Sequence, residues 1–72
     1  MDDLKVKIGG RLKEYRLLRK LTQEQVAIAL NIPQQQYARY ENAKNIPSSE
    51  NLIALCKLFE VSTDYILGLA EY

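Results

Sequence analysis

Gln34, Gln35 and Arg39 are the side chains of this sequence best suited to chemistry, and that chemistry is recognition rather than reaction. A primary amide presents a donor beside an acceptor, so glutamine can bond twice to the N6/N7 edge of adenine. The guanidinium fork can bond twice to the O6/N7 edge of guanine. Side chains three and four positions apart meet on a helix, which places Gln34, Gln35, Ala38 and Arg39 together on one face. Tyr37, Tyr40 and Glu41 fall on another. The spacing predicts a helix over roughly 33–42, with one face free to read base edges and one face that packs.

A reading helix needs a scaffold, and the flanking residues supply its signals. A second helix is predicted over roughly 23–30. Thr22 is a suitable N-cap and Gln25 completes a capping box. Val26, Ala27 and Leu30 face inward, and Ala27 leaves room for a close helix crossing. Asn31 ends the helix, because Asn tolerates the left-handed backbone of such a turn. Pro33 fits the opening of the next helix, where its missing N–H is not needed. Upstream, Ile8, Leu12 and Tyr15 line one face of a helix over roughly 4–19, with Leu17 projecting nearly opposite. Gly9 and Gly10 weaken its start, so a firm helix is expected only after them. Residues 43–47 form a loop. Ser48 caps a helix over roughly 49–59, with Leu52, Leu55, Cys56 and Phe59 inward. Ser62 caps a last helix over roughly 63–70, with Asp64 favourable in its first turn and Gly68 at its end. No alternating strand pattern occurs, so the fold class is all-α.

Bulk properties agree with one small domain spanning 1–72. The chain has 72 residues, 47% apolar and 26% charged, which suits a globular body with an efficient helical core. No apolar run reaches the ~20 residues of a membrane span, and the start lacks the apolar block of a signal peptide. A single cysteine excludes an internal disulfide and fits a reducing compartment. The net charge of +1 hides an asymmetry. Residues 5–44 carry nine basic side chains against three acidic ones, and the remainder carries one against six. One side of such a molecule suits phosphates and the other repels them.

Catalysis finds no residues to run on. Histidine is absent, and Cys56 has no base to activate it. No carboxylate cluster suggests a metal site, and no glycine loop could cradle a phosphate. Neither catalytic residues, nor metal ligands, nor a cofactor is expected.

With these residues in hand, the chain resembles the Cro/CI-type, XRE-like or lambda-repressor-like helix-turn-helix family. The resemblance rests on Ile8, Leu12 and Tyr15-Arg16, then LTQEQVA at 21–27 and NIPQQQYARYENAK at 31–44. It continues through IPSSENLIAL at 46–55 and VSTDYILG at 61–68. It implies a five-helix bundle with the DNA-reading pair at helices 2 and 3. It also implies roles: base reading by Gln34, Gln35 and Arg39; phosphate contacts by Gln23, Gln36, Asn42, Lys44 and Asn45; and a structural ion pair between Arg16 and Glu41. Several positions depart from the family pattern. Tyr37 stands where Ile or Val is usual and needs a partner for its hydroxyl. Ala43 replaces a common glycine, so Asn42 or Asn45 is expected to take the left-handed backbone angle. Glu60 and Asn31 replace two more glycines, and Pro33 replaces a capping Ser or Thr.

The reading that follows is a transcriptional regulator, a repressor, bound sequence-specifically to a double-stranded DNA operator. It would act as a homodimer through Ile66, Leu69 and Tyr72, in the cytoplasm on the nucleoid, with no membrane and no small-molecule substrate. The rival readings are an antitoxin-like or adaptor protein that uses the same fold to hold another protein, and a DNA-binding segment detached from a larger regulator.

Overall fold

A computed structural model describes residues 3–71, and its regular structure is helical throughout. Five helices follow one another: α1 (Asp3–Leu18), α2 (Gln23–Leu30), α3 (Gln34–Glu41), α4 (Ser49–Phe59) and α5 (Thr63–Leu67). The starts are set by side chains that satisfy orphan amides. Thr22 Oγ1 accepts from the Gln25 amide at 3.0 Å while Gln25 Oε1 accepts from the Thr22 amide at 2.9 Å, a complete capping box. Ser48 caps α4 and Ser62 caps α5 in the same way, each through the amide three residues on. Pro33 is the N-cap of α3 rather than its first residue, so the helix starts one place later than expected, and Pro33 makes no side-chain cap bond.

All five ends share one geometry. Past each helix a residue adopts the left-handed conformation: Lys20, Asn31, Ala43, Glu60 and Gly68. Its amide bonds back three residues, and the next amide bonds back five, as in Ile32 N to Ala27 O at 3.0 Å and Lys44 N to Arg39 O at 2.9 Å. This is the Schellman closure, which satisfies the last carbonyls. Only Gly68 is glycine. At the end of α3 the left-handed residue is Ala43, with φ 61, and Asn42 stays at φ −87. The expectation that an asparagine would take the strain is therefore corrected: the hydrogen-bond register selects the position, and the residue there accepts a penalty of about 1 kcal/mol.

The core gathers one face from every helix. Ile8, Leu12, Val26, Ala27, Tyr37, Tyr40, Leu55, Cys56, Phe59 and Ile66 form a single buried cluster. Burial pushes the Cys56 thiol up, as for an inert packed sulfur. Helix α1 runs unbroken through Gly9 and Gly10, contrary to the expected late start. Gly9 is buried where α1 crosses the end of α3. A Cβ there would lie 2.6 Å from the Tyr40 carbonyl oxygen and 2.7 Å from that of Glu41. The glycine is thus a contact point between helices rather than a weak spot. Gly10 faces open space. Helix α5 stops at Leu67 with Gly68 as its left-handed cap, so the expected glycine ends it, three residues before the outer bound of 70, and Arg11 ties it to α1. That guanidinium stacks 4.0 Å from the Tyr65 ring centroid and donates to the Tyr65 and Ala70 carbonyls.

Candidate nucleic-acid interface

Helix α3 divides as its spacing requires. Tyr37 and Tyr40 are buried and pack edge to face, ring centroids 6.2 Å apart. Gln34, Gln35 and Arg39 are exposed. The two aromatic rings hold the helix against the core, and the opposite face is left to solvent. Arg39 Nε donates to Asn45 Oδ1, so the loop after α3 holds the guanidinium stem while the terminal nitrogens stay available. Gln35, Arg39 and Asn45 also line one wall of an open groove of about 600 Å³ that runs toward the start of α4. Asn42 and Lys44 are exposed beside them.

Beneath this face lies the expected ion pair. Arg16 Nε donates to Glu41 Oε2 at 2.6 Å and Nη2 to Oε1 at 3.1 Å, while Nη1 holds the Leu21 carbonyl at 3.0 Å. The Glu41 side chain is 2% exposed. Burial works to raise its carboxyl pKa, but the hydrogen bonds from Arg16 and Gln23 outweigh it, and Glu41 ends below its ordinary value. The Tyr37 hydroxyl lies against this pair, buried and without a hydrogen bond of normal geometry. Burial, with the Glu41 charge beside it, pushes its pKa well up.

Two side chains expected on phosphates are placed differently. Gln23 is half-buried and donates to Glu41 Oε1 at 3.1 Å, so one amide hydrogen faces the ion pair rather than solvent. Gln36 is also half-buried and donates to the Tyr40 hydroxyl at 2.9 Å. The expected dimer face is corrected at Ile66, which has no exposed surface because it fills the core between α5 and its neighbours. Leu69 is 75% exposed, and Tyr72 lies outside the described residues.

Three features escaped the sequence. The Gln36–Tyr40–Asn51 cluster joins α3 to α4, with Asn51 Nδ2 donating to the same hydroxyl at 3.0 Å. The i, i+4 spacing of Gln36 and Tyr40 was the signal available for half of it. The Arg11 clasp on α5 and the bond from Arg19 Nε to the Phe59 carbonyl at 2.8 Å link segments more than 35 residues apart. Nothing local announces them. Among the described residues, no group of histidine, cysteine or carboxylate side chains could hold a metal ion, and no helix is long and apolar enough to cross a membrane.

Known proteins match both fold and sequence. The restriction-modification controller protein C.AhdI from Aeromonas hydrophila superposes with a TM-score of 0.78 over 86% of this chain and 94% of its own, at 24% identity. The HTH-type transcriptional regulator ImmR of Bacillus subtilis is 41% identical over 64 residues, covering 89% of this chain and 50% of that protein. The cryptic phage CTXphi transcriptional repressor RstR of Vibrio cholerae is 33% identical over 63 residues, covering 88% of this chain and 56% of that one. The chain spans about half the length of the curated relatives it matches. The helix-turn-helix family model matches residues 12–66, a stretch that contains α2, α3 and the ion pair beneath them. On these grounds the chain belongs to the helix-turn-helix family.

Proposed function

We propose that this protein regulates transcription, as a non-enzymatic repressor, by binding a duplex operator with α3 in the major groove. The observation that carries this reading is the division of α3. Gln34, Gln35 and Arg39 stand exposed on a helix whose other side is clamped by two buried tyrosines. Such side chains on a rigid helix meet the geometric demand of direct readout. Lys44 and Asn42 beside them would meet the flanking phosphates, which set affinity and salt dependence without choosing sequence. The names of the matched relatives, transcriptional regulators and a repressor, support the same reading.

Size argues for a homodimer. The body measures 27 × 25 × 21 Å, and successive major grooves on one side of a duplex are ~34 Å apart, so one copy reaches one half-site. Leu69 is the exposed apolar side chain left at the expected interface. Repression would follow from occupying promoter DNA, in the cytoplasm on the nucleoid.

Selection of bound oligonucleotides from a random duplex pool tests the reading. Enrichment of a short motif, repeated as an inverted pair about one helical turn apart, is the expected result. A pool that stays random at low salt would overturn it.

A further inference from the structure

We propose that the Tyr40 hydroxyl is a phosphate-binding donor, aimed into the groove between α3 and the start of α4. The inference rests on the DNA-binding reading and adds to it a contact in the groove between α3 and α4. Tyr40 is 3% exposed, yet it lines that groove together with Gln36, Asn51, Ser48 and Arg39. A phenol oxygen has two acceptor positions and one proton. Both acceptor positions are filled, by Gln36 Nε2 at 2.9 Å and Asn51 Nδ2 at 3.0 Å. The proton has no acceptor among the described residues. Two donors pointed at one hydroxyl fix its rotation, so the remaining O–H is held ready for an acceptor that arrives from outside.

The surroundings specify an anion. Among the described residues, Arg39 is the one charged side chain lining the groove, and it is positive. The first turn of α4, an 11-residue helix capped by Ser48, lies at the groove's edge; its dipole favours negative charge, and Glu50 of that turn, which opposes an incoming anion, stands outside the groove lining. A carboxylate or phosphate oxygen satisfies all three groups, and beside a major-groove helix the anion at hand is the duplex backbone. This also accounts for Gln36, whose amide orients the hydroxyl and is not itself the contact. Gln36 and Asn51 are positioning residues.

Duplexes carrying a single uncharged methylphosphonate, scanned one position at a time through the selected operator, test the assignment against wild type and Tyr40→Phe. At one phosphate the substitution is expected to weaken wild-type binding about tenfold more than it weakens Tyr40→Phe, in which Arg39 and the start of α4 still favour the charge, as for loss of a hydrogen bond to a charged group. Tyr40→Phe should weaken all sequences alike, without relaxing base preference. Asn51→Ala, which frees the hydroxyl to rotate, should blunt sensitivity at the same phosphate and serves if Tyr40→Phe does not fold. Equal losses in wild type and both variants at every phosphate would overturn the assignment and leave the DNA-binding reading intact. Failure of the wild-type protein to retain any duplex would remove both.

Discussion

Gly9 and Gly10 are neighbours in one helix, and the structure assigns opposite signs to their replacement by alanine. In a helix interior, Gly→Ala gains about 1 kcal/mol from backbone entropy alone. Gly10 faces open space, so Gly10→Ala should show that gain undiminished. At Gly9 the new methyl would sit 2.6 Å from one carbonyl oxygen and 2.7 Å from the next, where ordinary contact begins at 3.4 Å. The end of α3 would have to retreat by about 0.8 Å. Neither obstacle is a side chain that can swing aside, and the same turn carries Glu41 of the ion pair. Overpacking of this kind costs about 1–3 kcal/mol, and with backbone on both sides the upper end applies. Subtracting the helical gain leaves Gly9→Ala about 1–2 kcal/mol less stable than wild type. The two variants should differ by roughly 2–3 kcal/mol, or on the order of 10–20 °C in melting temperature for a domain this small. Thermal and urea melts followed by circular dichroism report the difference, with an unchanged m-value confirming the same unfolding reaction. A Gly9→Ala protein that melts at or above wild type would refute the close crossing of α1 and α3.

Ala43→Gly should stabilise the fold by about 1 kcal/mol, since φ 61 is strained for alanine and free for glycine; an unchanged urea midpoint would contradict the closure drawn at the end of α3. Glu41 has a folded pKa below its ordinary value, so its contribution is complete above about pH 4.5 and disappears as pH falls through the folded pKa. Glu41→Gln should therefore be less stable than wild type at neutral pH, with the gap closing on acidification, and a gap constant down to pH 2 would show that the charge is not the cause. Gln35→Ala should relax preference at one base pair with a loss of roughly 1–3 kcal/mol on the preferred site; a uniform loss across sequences would exclude base reading by Gln35. Leu69→Asp should convert a dimer to monomers in sedimentation with little change in melting temperature, and a dimer that persists would place the interface elsewhere.

The parts of the fold written in the sequence are those governed by neighbours along the chain. Helices α2 and α4 begin where Thr22 and Ser48 signal, and α2 ends at Asn31, because caps and closures involve residues within five positions. The two faces of α3 were legible for the same reason. Ile66 was misread because a helix of five residues is too short for periodicity to define its inner side. Gly9 was judged by propensity, since the carbonyls it must avoid lie more than 30 residues away. Ala43 was passed over because residue preference was weighed above hydrogen-bond register. In the candidate site, the exposed amides and guanidinium of α3 followed from spacing. The bonds that hold Gln23 and Gln36 did not, because a polar side chain beside a buried carboxylate or phenol turns toward it, and adjacency of that kind is tertiary.

The matching closures at all five helix ends make the corners count residues rather than read them. Four different non-glycine side chains occupy the same backbone angle, so substitution there changes stability by small steps and leaves the chain's path alone. Insertion is another matter. The stretch from Asn31 to Pro33 holds the closure of α2 and the cap of α3 with no residue to spare, and one more would move the polar face of α3 off its aromatic footing. Chains built this way should diverge freely in the spelling of their turns while keeping the length of each.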